Sequence, residues 1–325
     1  MPSKKIIVTP PMLAQFPTLF EPLTARGVAT IFNRGAYPLD EPGLIALIDD
    51  AFAAIVGLDP ISARVIAACP TLRVVARNGV GMDNVDFDAT NRAGVLVTAP
   101  LGANSTTVAE LTLGLAIALI RRVVSHHMIF QTGEWKREQG SELEGKTLGI
   151  IGLGRIGKKV ATRALAFEMR VIANDILPDH AFAEKHDILF VSFDELLAQS
   201  DFVTLHVPLT PLTQWMINPS SICQMKRGAF LINTSRGPVV DPIALASALD
   251  EGHLAGAALD VHVNEHQPAR ALIHRANVIT TPHIGAFTRE ALWRTTQGAV
   301  ASIVDFLDGR TPAGLMNPEV LKEAR

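Results

Sequence analysis

One stretch of this chain limits its fold more than any other: an apolar run that breaks into closely spaced glycines. Lys146-Thr147-Leu148-Gly149-Ile150-Ile151 leads straight into Gly152-Leu153-Gly154-Arg155-Ile156-Gly157, and helix-forming residues follow from Lys158 to Phe167. In a strand–turn–helix unit the first glycine permits the tight turn and the second lets backbone N–H groups approach a pyrophosphate. The third lets the helix pack close to the strand, with its N-terminal dipole toward the phosphates. Glycine turns are common, so the motif alone says little. Here the next strand, Arg170–Asn174, ends at Asp175, about twenty residues on, where a dinucleotide site needs an acid for the ribose hydroxyls.

Charge selects the dinucleotide. A carboxylate at Asp175 accepts bonds from a ribose diol and repels a 2′-phosphate, and Ile176 and Leu177 bring no compensating cation. NAD is expected over NADP. A solvated turn residue ahead of Pro178 is the competing reading of Asp175.

With 325 residues, 48% of them hydrophobic and 19% charged, the chain suits two compact domains and does not suit disorder. Its 29 Lys+Arg against 32 Asp+Glu leave a net charge of −3, too balanced for a nucleic-acid surface. Cys69 and Cys223 lie in no metal-ligand spacing and read as reduced, buried thiols. Met1-Pro2-Ser3-Lys4-Lys5 runs into a strand without a signal-peptide core, and the longest apolar stretch, Leu111–Ile120, is too short to span a bilayer. A cytoplasmic protein with no membrane partner is expected.

Short apolar strands alternate with helical stretches throughout. Strands are expected at Lys5–Thr9, Ala29–Asn33, Phe52–Gly57, Arg73–Arg77 and Val95–Thr98, with helices at Met12–Arg26, Glu41–Asp50 and Ile61–Ala68. A long helix should run from Ser105 to about Phe130, with Asn104 or Ser105 as its N-cap. The rhythm then restarts at Thr147–Ile151, Arg170–Asn174, Ile188–Val191, Phe202–Val207, Ala229–Asn233, Ala255–Val261 and Val278–Thr280. Such βαβα order implies α/β architecture with doubly wound parallel sheets. The glycine motif begins near residue 150, so a smaller α/β unit precedes the cofactor domain. The last helix, Arg289–Asp308, is expected to return to that first unit.

Three polar segments follow strands of the second half: Asn233-Thr234-Ser235-Arg236-Gly237, Asp260-Val261-His262-Val263-Asn264-Glu265 and Thr281-Pro282-His283-Ile284-Gly285. Carboxyl ends of parallel strands converge on one crevice, which would gather a guanidinium, a carboxylate and an imidazole beside the dinucleotide. Taken singly, Arg236, Glu265 and His283 could equally be solvated loop residues.

These segments, with the glycine motif, Ala258-Leu259-Asp260-Val261, His206-Val207-Pro208-Leu209-Thr210 and Asn78-Gly79-Val80-Gly81-Met82-Asp83-Asn84-Val85-Asp86, resemble the D-isomer-specific 2-hydroxyacid dehydrogenase family over nearly the whole length. The resemblance implies a Rossmann NAD domain (99–290, with a dimerisation arm) inserted in a flavodoxin-like substrate domain (1–98 plus 291–325). It also implies a homodimer, with Thr132-Gly133-Glu134-Trp135 in the arm. Arg236 would grip the carboxylate and the reacting oxygen of a 2-oxo acid with its fork. His283 would be the general acid, and Glu265 would orient its ring and favour the protonated form. Gly152, Gly154, Arg155, Ile156, Gly157, Asp175, His206, Val207, Pro208, Thr213, Thr234, Ser235, Asp260 and Gly285 would surround NAD, with Asp260 near the carboxamide. Asn78, Gly79 and Val80 would join Arg236 and His283 at the substrate, through backbone N–H groups. For His206 a structural role is the alternative, and no histidine cluster calls for a metal.

The loop 78–86 is most similar to the phosphoglycerate dehydrogenase-like branch. With the sequence ending at Arg325, no appended regulatory domain is expected. Arg77 is the one basic residue of that loop, so glyoxylate, hydroxypyruvate, a longer 2-oxo acid and a phosphorylated one all remain open. Formate oxidation is disfavoured because relatives with that activity carry Gln where Glu265 stands. Phosphite oxidation and a non-catalytic, NAD-sensing corepressor-like role are the alternatives to 2-oxo acid reduction.

Overall fold

A computed structural model describes residues 4–265 and 267–323; Met1, Pro2, Ser3, His266, Ala324 and Arg325 lie outside that range. The chain forms two compact units, Met1–Asn104 with Thr288–Arg325, and Ser105–Phe287.

The first unit holds β1 (Lys5–Val8), β2 (Ala29–Phe32), β3 (Ala53–Val56), β4 (Val74–Arg77) and β5 (Leu96–Thr98). All pair in parallel in the order β2-β1-β3-β4-β5, the flavodoxin-like order, with its switch point between β1 and β3. β3 and β4 are buried at every residue, as befits strands covered on both faces. The helix Arg289–Leu307 returns here as expected, burying Ala299, Val300 and Ile303 against Ile6, Val8 and Ile55.

The segment expected as a helix over Met12–Arg26 departs from that reading. It forms two 3-10 turns, Pro11–Gln15 and Pro17–Phe20, and a single helical turn, Glu21–Thr24. Pro11, Pro17 and Pro22 each lack the N–H that a continuous helix needs, so the ladder restarts at each one.

The second unit holds β6 (Thr147–Ile151), β7 (Arg170–Asn174), β8 (Leu189–Phe190), β9 (Phe202–Leu205), β10 (Ala229–Asn233), β11 (Leu254–Leu259) and β12 (Val278–Thr280). Its parallel order, β12-β11-β10-β9-β6-β7-β8, is the Rossmann order extended by a seventh strand. The direction of winding reverses between β6 and β9, so the ligand-binding crevice of such a sheet opens at their carboxyl ends.

The long helix expected from Ser105 to Phe130 is divided into Ser105–Ile120 and Val123–Gln131, with Arg122 in the left-handed conformation between them (φ 52°). The returning chain supplies a reason: the Ser141 N–H bonds the Ile120 carbonyl at 3.2 Å, capping the first helix there. The first helix packs Ala109, Leu113, Ala116 and Leu119 on the sheet, whereas the second buries none of its residues. Cys69 is buried as expected, but Cys223 is exposed, on the outer side of the helix Pro219–Gln224 whose Ser221 and Ile222 face inward. No described helix is long and apolar enough to cross a membrane.

Candidate active site

The glycine turn occupies the switch point. Gly152 has φ 94°, and a Cβ there would come within 2.7 Å of the His206 carbonyl oxygen at the end of β9. A Cβ on Gly157 would overlap the Gly152 carbonyl, so the helix Arg155–Ala166 can lie against the strand only with glycine at that position. The same helix buries Gly157, Val160, Ala161 and Ala164, one stripe at the helical period. Its N-cap, Gly154, offers no side-chain acceptor, so the first-turn N–H groups of Arg155 and Ile156 stay available to an anion.

Asp175 follows β7. Its carboxylate accepts the Leu153 N–H at 2.7 Å and the Leu177 N–H at 2.9 Å, which draws the acid to the glycine turn itself. Across the crevice, Thr213 closes the turn after β9: its hydroxyl accepts the Thr210 N–H and donates to the Pro208 carbonyl at 2.6 Å. Val207 is half-buried against Gly152. The His206 Nε2 shares a hydrogen bond with Thr204 Oγ1 at 3.0 Å, while Nδ1 is buried with no partner among the described residues. Burial of the ring pushes the imidazole down to about 3, so it stays neutral.

The loops after β10, β11 and β12 come together. A Cβ on Gly237 would overlap the His262 backbone, which brings the Arg236 loop hard against the Asp260–Glu265 loop. Arg236 is half-buried, and one guanidinium nitrogen donates to the Ser235 carbonyl at 2.7 Å. Asn233, fully buried, shapes this loop by accepting the Ser235 N–H and hydroxyl and donating to the Arg236 carbonyl at 2.8 Å. The Thr234 hydroxyl meets that of Thr112 at 3.1 Å; Thr112 already donates to the Val108 carbonyl, so Thr234 is the donor.

Glu265 and His283 pair directly, Nδ1 to Oε1 at 3.2 Å, with about a third of the Glu265 side chain and 27% of the His283 side chain exposed. Burial works to raise the Glu265 carboxyl, but the bond and charge of His283, with smaller help from His262, outweigh it and hold the carboxyl below its ordinary value. A carboxylate on Nδ1 makes that nitrogen the N–H donor and leaves Nε2 to exchange a proton with a ligand. His283 sits at φ 55° in a turn tied to Asp260, whose buried carboxylate accepts from Thr281 Oγ1 (2.6 Å), Ile284 N (2.8 Å) and Gly285 N (2.7 Å).

In the first unit, Asn78, Gly79 and Val80 follow β4, half-buried, in a loop whose Gly81 carbonyl is held by the Arg77 guanidinium at 2.8 and 3.1 Å. Thr112 and Thr204 lie outside the polar segments singled out in the sequence, and Asn233 and Thr281 lie inside them with no role of their own assigned. The one cue was the polar Thr112 inside the apolar run 111–120. Among the described residues no group of His, Cys, Asp or Glu could hold a metal.

The family model for the D-isomer specific 2-hydroxyacid dehydrogenase NAD binding domain matches residues 113–285. The chain belongs to this family. Its second unit therefore carries the NAD-binding domain of a 2-hydroxyacid dehydrogenase, and the uncapped helix, the glycine turn and Asp175 fit that cofactor. D-3-phosphoglycerate dehydrogenase of Rattus norvegicus is 40% identical over 289 residues, 88% of this chain and 54% of its own length. The chain thus spans about half the length of that curated relative. Glyoxylate reductase of Thermofilum pendens is also 40% identical, over 280 residues, 81% of this chain and 80% of its own. D-Lactate dehydrogenase from Aquifex aeolicus, crystallised with NAD and lactic acid, matches at TM-score 0.80 with 29% identity, covering 98% of each chain.

Proposed function

We propose that this member of the 2-hydroxyacid dehydrogenase family reduces a 2-oxo acid to a D-2-hydroxy acid with NADH, and catalyses the reverse with NAD. The observation that carries this reading is the Glu265–His283 pair at 3.2 Å on the loops after β11 and β12, the first of which lies against the Arg236 loop. When bound, the nicotinamide supplies the hydride. His283 Nε2 gives its proton to the carbonyl oxygen as the carbon is reduced, and takes it back in the reverse direction. Glu265 holds Nδ1 and balances the charge of the imidazolium. Arg236 grips the carboxylate and polarises the carbonyl, a two-pronged contact that one ammonium cannot copy. The amides of Gly79 and Val80 are assigned to the substrate carboxylate. Asp175 is assigned to the adenosine ribose, which gives the preference for NAD over NADP.

A homodimer is proposed on the exposed arm. Val123, Met128 and Phe130 are 50%, 62% and 61% exposed and Trp135 is 80% exposed, an apolar surface that a second copy would cover. The free thiol of exposed Cys223 suits a reducing compartment, so we place the protein in the cytoplasm.

The test is NADH turnover with a panel of glyoxylate, hydroxypyruvate, phosphohydroxypyruvate and longer 2-oxo acids. His283→Ala should lower kcat on the best of them by roughly 10²–10⁴ while NADH affinity holds. A variant with near-normal turnover would overturn the assignment of the acid.

A further inference from the structure

Asn78 is oriented by two residues far from it in the chain. Its Nδ2 donates to Thr295 Oγ1 at 3.0 Å and to Thr296 Oγ1 at 3.1 Å. Both threonines lie inside the helix Arg289–Leu307, 2% and 0% exposed. Each hydroxyl gives its own proton to the helix: Thr295 to the Ala291 carbonyl at 2.9 Å, Thr296 to the Leu292 carbonyl at 2.6 Å. Oxygens engaged in this way present only lone pairs to a neighbour, so the amide must face them with its NH2 end. Its orientation is set by chemistry, with no freedom to flip.

Two adjacent threonines are an unusual choice for the buried side of a helix. They are poorer helix formers than Ala or Leu, and a buried hydroxyl costs free energy unless it is bonded. Packing alone would favour Ala or Val. Their hydroxyls instead meet the first residue of the loop after β4. On the strand side, the Asn78 N–H bonds the Val56 carbonyl at 2.8 Å, and on the far side Arg77 holds the Gly81 carbonyl. Gly79 and Val80 lie between these clamps.

We propose that Thr295 and Thr296 are positioning residues for the 2-oxo acid. They act through the Asn78 amide to hold the Gly79–Val80 backbone in the orientation that receives the carboxylate, and neither touches the substrate. This rests on the assignment of Gly79 and Val80 made above.

The experiment compares NADH-dependent kinetics on the best panel acid for the wild type, Asn78→Ala, the Thr295→Val/Thr296→Val pair, the Thr295→Ser/Thr296→Ser pair, and Asn78→Ala combined with the two valines. The valine pair should raise KM for the acid about tenfold, the effect of leaving an amide unbonded. It should change kcat by less than about twofold and leave the NADH Kd in place. The serine pair should restore KM, and the valines should add nothing once Asn78 is Ala. Unchanged KM in the valine pair, or a full further rise in the Asn78→Ala background, overturns the latch. Should the valine pair not fold, Asn78→Ala decides, because it leaves both hydroxyls on their helix carbonyls; an unchanged KM there refutes the proposal. A wild type that reduces no acid of the panel overturns the functional reading and this proposal together, whereas an active wild type with indifferent variants overturns the latch alone.

Discussion

Asp260 builds the turn that presents His283. Its carbonyl accepts the His283 N–H at 2.9 Å, and its carboxylate takes the Thr281 hydroxyl and the N–H groups of Ile284 and Gly285. A histidine at φ 55° is held in a region that costs a non-glycine residue energy, and these bonds offset that cost. The imidazole thereby meets Glu265 without help from its own loop's propensity.

Asp260→Asn replaces one acceptor oxygen with an NH2 group that faces a backbone or hydroxyl donor. The turn should loosen and kcat should fall roughly 10–100-fold, the usual effect of displacing a catalytic group by about an ångström. Melting temperature and kcat measured together check this. An unchanged kcat would mean that the turn holds His283 without the carboxylate.

Glu265→Gln keeps a hydrogen-bonding side chain on the ring but removes the negative charge 3.2 Å away. On the proposed function that charge balances the imidazolium, so kcat/KM for reduction should fall roughly 10–100-fold, the effect of losing a hydrogen bond to a charged group. Stability at acid pH should change as well. The folded Glu265 carboxyl is depressed, so its contribution to stability is present above the ordinary carboxylate range and is lost as pH falls through the lowered value. Reduction kinetics of the variant and melts of both proteins at acid pH test this; an unchanged kcat/KM would leave Glu265 a positioning role only.

Asp175 bonds the glycine turn, and the proposed function assigns it to the ribose diol. Asp175→Ala should weaken NADH and relax the discrimination against NADPH, because repulsion and hydrogen bonds disappear together. Catalytic efficiencies with both cofactors decide it: equal use of the two by the wild type would sink the argument.

His206 makes acid stability measurable. An unfolded histidine takes up a proton near 6.5, whereas the folded ring resists down to about 3. Between those values the unfolded chain binds one proton more, so stability falls with pH, by at most about 1.4 kcal/mol per unit. His206→Gln should flatten that part of the curve. Melts of wild type and variant from pH 7 to 5 check it, and a constant difference between them would show that the folded ring protonates.

Much of this fold was legible because it depends on local signals. Leu148–Ile151, Val203–Leu205 and Leu231–Asn233 are mostly apolar runs of strand length bounded by turn residues, and Gly152 and Gly157 mark the switch point by steric demand. Signals that depend on partners were not legible. Nothing near Arg122 announces that the returning Ser141 will cap the helix at Ile120, and nothing near Asn78 announces that its amide will meet Thr295 and Thr296 more than two hundred residues away. The prolines at 11, 17 and 22 did carry their message, but the apolar spacing of Leu13, Phe16, Phe20 and Leu23 is helical and masked it. For the candidate site, Arg236, Glu265 and His283 each followed a readable strand. The buried acceptors that shape their loops, Asn233 and Asp260, can be weighed only once those strands are side by side.

Among the three glycines of the turn, Gly154 stands apart. A Cβ there would meet no protein atom within 4 Å, and the backbone is extended (φ −75°), open to any residue. Gly152 and Gly157 are demanded by the polypeptide; on the proposed function Gly154 is demanded by the guest alone. Alanine at 154 should therefore give a chain that melts like its parent and yet is blind to the dinucleotide, a well-folded decoy. Heat stability and NADH titration, measured side by side, would then report on different glycines.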